Sequence, residues 1–186
     1  YASERDGNWN IYTAKIVRDG EVDFAHATLI EETPLFKPSK TERWAPKFSP
    51  DGKEISYIED RSRLMVKNLE TGKVRQITDG SRQYTTTGSA PYAWSPDGKW
   101  FAIQYTGNRH EPYSDIGIVS AVEGGTIHNL TNSGYTDSNP RWVLDGNAIL
   151  FNSERYGMRN HASWGSMGDV MIVFLNQDAY DKFSMT

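Results

Sequence analysis

Two segments of this chain bring a cation, an imidazole and an aromatic ring close together: Arg109-His110-Glu111-Pro112-Tyr113 and Arg159-Asn160-His161-Ala162-Ser163-Trp164. A guanidinium pairs with a carboxylate in a fixed fork, an imidazole exchanges protons near neutrality, and an aromatic ring offers a flat apolar face. Such a set could hold a peptide or a carboxylate, so Arg109, His110, Tyr113, Arg159, His161 and Trp164 are the candidate binding residues. The competing reading is that these side chains order their own loops by hydrogen bonding and stacking. Asp115, Asp169 and Asn10, each just before an apolar run, read as loop-closing side chains bonded to nearby backbone.

Patterns that carry catalysis are missing from the sequence. Gly165-Ser166-Met167-Gly168 does not make a Gly-x-Ser-x-Gly elbow, and His110-Glu111 runs into Pro112 rather than into a zinc-binding helix. No Gly-Lys-Ser/Thr phosphate loop occurs, and His26, His110, His128 and His161 have no nucleophile paired with them locally. Asp51, Asp97 and Asp145 lack the oxygen-rich spacing of a calcium loop and read as turn formers. Zero cysteines remove thiol nucleophiles, disulfides and cysteine metal sites. The expectation is a chain with no catalytic residue, no metal and no cofactor. Asn129-Leu130-Thr131 fits a glycosylation sequon, but it also reads as a strand ending.

What must position the two loops is a repeat. Ser49-Pro50-Asp51-Gly52-Lys53 recurs as Ser95-Pro96-Asp97-Gly98-Lys99, with a degenerate copy at Val143-Leu144-Asp145-Gly146-Asn147. Pro50 and Pro96 stand 46 residues apart, and Asp97 and Asp145 stand 48 apart. An aromatic residue precedes each turn (Phe48, Trp94, Trp142), and a short alternating strand follows it (Ile55–Tyr57, Phe101–Ile103, Ile149–Phe151). A third strand opens at Leu64-Met65, Ile116-Gly117-Ile118 and Val170-Met171, and a fourth closes with Gln76-Ile77-Thr78 or Asn129-Leu130-Thr131. Four short strands in a unit of this period predict an all-β fold, a β-propeller of four-stranded antiparallel blades. Pro, Asp and Gly suit the central positions of the turn between strands one and two, the glycine taking the left-handed conformation.

The blades fall at about residues 1–36, 44–80, 90–131 and 138–175, followed by a polar tail or linker over 176–186. Ser3-Glu4-Arg5-Asp6-Gly7 parallels Ser153-Glu154-Arg155-Tyr156-Gly157, which places Tyr1 and Ala2 at the end of a second strand. The first blade then has its third strand at Ile11 to Ile16 and its fourth near Ala27 to Ile30. The expectation is an incomplete ring of about three and a half blades, cut from a longer polypeptide and open to self-association through its blade edges. Strand parity puts the short turns on one face of the disc. The long polar segments (3–10, 36–43, 81–92, 107–115, 132–139 and 153–169) go on the other, where binding is expected.

Net charge of −4 and a pI near 5.6 argue against nucleic acid as a partner, and no apolar run reaches the length of a membrane span. The chain start, Tyr1-Ala2-Ser3-Glu4-Arg5, lacks the basic and apolar regions of a signal peptide.

The segment from Phe48 to Thr78 resembles the propeller repeat of TolB and of tricorn protease. The stretch Ser153 to Ser166, then Asp169-Val170 and Phe174 to Phe183, is similar to the end of the amino-terminal propeller in bacterial tricorn-like serine peptidases of the tail-specific protease family. That resemblance implies a multidomain peptidase whose catalytic serine, base and PDZ-like module lie outside these residues. It implies a propeller that guides peptide or protein toward the rest of the parent chain, in the periplasm or at the cell surface. Two other readings stay open: a stand-alone propeller enzyme, such as a lyase or glycan hydrolase with Arg109, His110, Arg159 and His161 clustered at a pocket, and a TolB-like protein-binding module.

Overall fold

The computed structural model describes residues 1–82, 91–107, 113–158 and 167–185. The chain lays down four antiparallel sheets in sequence order. The first contains β1 (Ala2–Ser3), β2 (Asn10–Ile16) and β3 (Ile30–Pro34); the second contains β4 (Arg43–Phe48), β5 (Glu54–Glu59), β6 (Arg63–Asn68) and β7 (Val74–Gln76). The third is β8 (Tyr92–Trp94), β9 (Trp100–Tyr105), β10 (Asp115–Ser120) and β11 (Ile127–Asn129); the fourth is β12 (Asp137–Val143), β13 (Ala148–Ser153) and β14 (Asp169–Phe174). Within each of these sheets consecutive strands are neighbours, and among the described residues no sheet closes on itself. This up-and-down order, repeated four times, is the blade order of a β-propeller.

Three apolar layers join the four blades. Ile11 packs with Ile55, Tyr57 and Met65 between the first two sheets. Ile58, Leu64, Val66 and Ile77 meet Tyr92, Phe101, Ile103 and Val119 between the second and third. Ala102 and Ile116 meet Ile149 and Phe151 between the third and fourth. Period-two alternation explains how one strand serves two layers: Ile55 and Tyr57 of β5 face one neighbour, and Ile58 faces the other. Residues 55–58 and 101–103 are buried on both faces. A blade in the middle of a stack has no wet face. Ser56 is therefore fully buried, and its hydroxyl is used, within 3.1 Å of both the Lys47 carbonyl and the Tyr92 hydroxyl. Truncating Phe101 to Ala would open a cavity costing about 3–5 kcal/mol.

The two Ser-Pro-Asp-Gly-Lys turns are built identically. Ser49 Oγ donates to Asp51 Oδ1 at 2.6 Å and accepts from the Glu54 amide at 2.9 Å, while Asp51 Oδ1 accepts from the Lys53 amide at 3.1 Å. Ser95, Asp97, Lys99 and Trp100 repeat this at 2.6, 3.0 and 2.9 Å. Gly52 and Gly98 carry φ of 72° and 69°, the left-handed region that penalises a Cβ. The third copy has neither the serine nor the proline. It forms a 3-10 turn over Leu144–Gly146, with Leu144 and Asp145 themselves at φ 51° and 54°.

The strand endings also share a device. Thr78 Oγ1 accepts from the Leu64 amide at 2.9 Å, and Thr131 Oγ1 accepts from the Ile116 amide at 3.1 Å, so each hydroxyl takes up the amide of the second residue of the third strand. Asn129 at the sequon accepts the amides of Thr131 and Asn132 through Oδ1 and donates to Asp115, a structural use of the residue.

The first blade differs from expectation in its fourth strand, which is Ile30–Pro34 rather than Ala27 to Ile30. Asp23 accepts from the His26 amide at 3.0 Å and Glu21 from the Thr28 amide at 2.9 Å, so residues 17–29 form an ordered loop and pairing starts at Ile16–Ile30. Residues 177–184 form a helix, α1 (Gln177–Ser184), capped by Asn176, whose Oδ1 accepts from the Ala179 amide at 2.9 Å. Its Tyr180 ring meets Phe174 of β14 edge-on and its Phe183 ring meets it at a tilt of 51°.

Candidate binding face

The ends of the sheets away from the Pro-Asp-Gly turns carry the long segments, and adjacent blades are tied together there. Trp9 and Trp44 stack with centroids 5.2 Å apart and planes at 13°, and the Arg43 amide donates to the Trp9 carbonyl at 3.0 Å. Arg61 lies over the Trp44 ring at 5.3 Å and pairs with Glu42 at 3.2 Å. The tight three-residue β5–β6 loop aims it there: Asp60 and Arg61 both adopt left-handed φ, 46° and 67°, the central pair of a turn closed by the Ser62 amide donating to the Glu59 carbonyl at 3.2 Å. Beneath this layer Arg43 pairs with Glu59 at 3.3 Å and sits over Phe36 at 4.3 Å, and Phe36 meets Tyr57 edge-on. Burial pushes the Tyr57 phenol up to about 12, aided by the charge of Glu59.

The third and fourth blades meet through a polar network. Asp115 is buried and fully occupied: Oδ1 accepts from the Ser133 amide at 3.0 Å and Thr131 Oγ1 at 3.2 Å, and Oδ2 accepts from Asn129 at 2.9 Å. Asn10 bonds neighbouring backbone as read from sequence, its Oδ1 accepting from the Ile11 amide at 2.9 Å, and it also donates to the Phe36 carbonyl at 2.8 Å. The partners of Asp115 instead lie 14 to 18 residues away, and Asp169 is exposed. Burial, then the Asp115 charge, raises the Tyr105 phenol to about 12. Ser114 exchanges two 2.8 Å hydrogen bonds with Asp137 backbone, and Ser133 Oγ donates to Asp137 Oδ2 at 2.7 Å. Asp137 Oδ1 is buried and has no hydrogen-bond partner among the described residues.

Of the six candidate residues named from sequence, Tyr113 is described and exposed, preceding β10. Arg109, His110, Arg159, His161 and Trp164 lie outside the described residues. His26 sits on an exposed hairpin loop 2.8 Å from Asp23, and His128 meets Trp100 edge-on on β11. Among the described residues no three His, Asp or Glu side chains group closely enough to hold a metal ion. Sequence reasoning passed over Trp9, Trp44 and Asp137. Trp9 stands one residue before β2 and Trp44 is the second residue of β4, so no shared spacing marked them, and Asp137 carried no signal beyond its place between loop and strand.

A stack of antiparallel blades with short turns at one end and cross-linked loops at the other defines a β-propeller domain. The TolB beta propeller domain matches residues 38–163, more than half of the chain, and the chain belongs to this family. It is 29% identical over 114 residues to the uncharacterized peptidase YuxL of Bacillus subtilis, across 56% of this chain and 16% of that protein. It is 26% identical over 107 residues to tricorn protease homolog 1 of Streptomyces coelicolor, across 58% of this chain and 9% of that protein. The crystal structure of the tricorn protease superimposes with a TM-score of 0.57 at 17% identity, over 78% of this chain and 15% of that one, a likeness of fold. The chain thus spans a small part of the length of these relatives. No helix among the described residues is long and apolar enough to cross a membrane.

Proposed function

We propose that this chain is the non-catalytic propeller of a tricorn-like serine peptidase, working outside the cytoplasm in the periplasm or at the cell surface. Its loop-bearing face receives peptide or unfolded protein and passes it to a catalytic region elsewhere in the parent molecule. The observation that carries the reading is the pair of peptidase relatives, each far longer than the matched segment, so the shared part is one propeller region of a larger architecture. The face itself suits the task. Trp9, Trp44 and Arg61 make a ledge of aromatic and guanidinium surface, which grips extended backbone and mixed side chains without demanding one sequence.

The test uses the purified 186-residue chain and a panel of unstructured peptides. Indole fluorescence is expected to change saturably as peptides bind, while fluorogenic peptides stay uncut. Hydrolysis by the purified chain would contradict the non-catalytic assignment, and a flat titration with every peptide would contradict the guiding role.

A further inference from the structure

Charge is unevenly spread over the loop-bearing ends of the first and second blades. Trp9, Trp44 and Arg61 stand there, and the connection between the two blades is tied in beside them. The Asn8 side chain donates to the Ser39 carbonyl at 3.0 Å, the Asp60 amide donates to the Glu42 carbonyl at 3.0 Å, and the Glu42 amide donates to Asp60 Oδ1 at 3.2 Å. Lys37, Lys40, Arg43, Arg61 and Arg63 share this corner with Glu42, Glu59 and Asp60, so cations outnumber carboxylates.

All three carboxylates are already engaged by arginines. Glu59 pairs with Arg43 and Arg63 at 3.3 and 3.1 Å, Asp60 with Arg63 at 2.6 Å, and Glu42 with Arg61 at 3.2 Å. Asp79, next to the Gly80 that abuts Ser62, is taken up by the Ser81 amide and hydroxyl at 2.9 and 2.7 Å. Lys37 and Lys40 are exposed, and their ammonium groups make no ion pair among the described residues. Arg61 is only partly used. Its Nε alone reaches Glu42, neither Nη nitrogen makes a hydrogen bond among the described residues, and the side chain is 41% exposed. A guanidinium with that edge free is the fork that takes a carboxylate through two parallel N–H···O bonds. The Trp44 ring beneath it, 5.3 Å away, holds it in place, and the Trp9–Trp44 stack offers aromatic surface alongside.

This surplus runs against the charge of the whole chain, which is −4. An acidic protein repels anions at long range, whereas unpaired cations attract them within about one Debye length, roughly 8–10 Å at moderate salt. A preference for anionic ligands would therefore come from this corner and not from the net charge.

We propose that the corner selects acidic segments of extended peptides: one Asp or Glu side chain takes the free edge of Arg61, a second carboxylate lies near Lys37 and Lys40, and an apolar neighbour rests on Trp9 and Trp44. The inference rests on the peptide-receiving reading, to which it adds a preference of charge rather than of one sequence.

The test is calorimetric titration of the 186-residue chain with acetyl-Gly-Glu-Glu-Leu-Glu-Glu-Gly-amide and with the same peptide carrying Gln or Lys in place of Glu. Blocking both ends leaves side-chain carboxylates as the only anions. The Glu peptide is expected to bind about tenfold more tightly than the Gln peptide at about 50 mM salt, and about two- to threefold more tightly at about 500 mM. Arg61→Gln, and Lys37→Gln combined with Lys40→Gln, are each expected to cut that preference several-fold. Lys73→Gln changes the net charge as Arg61→Gln does, but in the tight turn at the opposite end of the blade, and is expected to leave the preference intact. Equal affinity for the Glu and Gln peptides, or tighter binding of the Lys peptide, overturns the proposal while leaving peptide guidance standing. A loss in Lys73→Gln equal to that in Arg61→Gln overturns it too, since the preference would then be one of net charge. Failure of all three peptides to bind also overturns it, and a flat response to the unstructured panel as well would mean that the guiding role has failed with it.

Discussion

Replacing Tyr92 with Phe deletes one oxygen atom from the seam between the second and third blades. That oxygen donates to the Ala45 carbonyl at 2.6 Å and accepts from Ser56 Oγ at 3.1 Å. Ala45 sits at φ 49° inside a β-bulge, where the β4–β5 register skips from Trp44 to Lys47, so its carbonyl is outside the regular ladder pairing. Packing is preserved in the variant, since the ring keeps its edge-on contact with Phe101. The loss is therefore a hydrogen-bond loss. Removing one partner and leaving the other underused costs about 1–3 kcal/mol, and about 2 kcal/mol is expected here. In a chain of this size that lowers Tm by about 4–8 °C. Urea unfolding followed by tryptophan fluorescence measures it, with an unchanged denaturant slope. A cycle with Ser56→Ala is expected to show coupling of about 1 kcal/mol. Burial also holds the Tyr92 phenol far above the ordinary tyrosine value. Because the unfolded chain loses that proton near pH 10 and the folded chain keeps it, stability falls as pH rises through this point. The Phe variant should lose part of that slope. A midpoint within about 0.5 kcal/mol of the parent, with the alkaline slope intact, would refute the view that this hydroxyl joins the blades.

Thr131→Val keeps the shape of the side chain but leaves the Ile116 amide without its acceptor, and a loss of about 1–2 kcal/mol is expected in urea melts. Gly52→Val and Gly98→Val each force a β-branched residue to φ near 70°. Nothing lies within 4 Å of a Cβ at Gly52 and only Pro50 Cδ, at 3.7 Å, at Gly98, so the expected loss of about 1–2 kcal/mol is backbone cost alone; unchanged melts would remove the turn assignment. Glu54 is held below the ordinary glutamate value chiefly by its two hydrogen bonds from Arg75, at 2.5 and 2.6 Å. Its contribution is complete above the unfolded value of about 4.3 and disappears as pH falls through the folded value. Glu54→Gln should accordingly be less stable at pH 7 yet lose less on acidification, which denaturant midpoints at pH 7 and pH 3 will reveal.

Local chemistry made the repeat legible. The Ser-Pro-Asp-Gly-Lys turns depend on bonds among residues only two to five apart, so the spacing of the pentapeptides announced blades before any tertiary contact was known. The Ile-Thr and Leu-Thr endings were recognisable as strand ends. Their purpose was not, because Thr78 and Thr131 act on amides at Leu64 and Ile116 in the preceding strand. The bulges in the first strands of the second and fourth blades were not legible for a related reason. Ala45-Pro46 and Asn139-Pro140 look like strand breakers, yet β4 and β12 run through them by bulging, with the residue before each proline left-handed at φ 49° and 56°.

The period, the turn residues and the apolar pairs by themselves determined that this chain would form successive antiparallel blades, since each depends on neighbours along the sequence. Tertiary structure alone decided which polar groups are satisfied. Asp115 and Asp137 are the same residue type at the start of a strand, and nothing in their sequence neighbours says how many donors each will meet. Asp115 meets donors from Asn129, Thr131 and Ser133, while one oxygen of Asp137 meets none. Burial and partner geometry are properties of the packed interface between blades, and it is there that a fully bonded carboxylate becomes distinct from one with an oxygen left unfilled among the described residues.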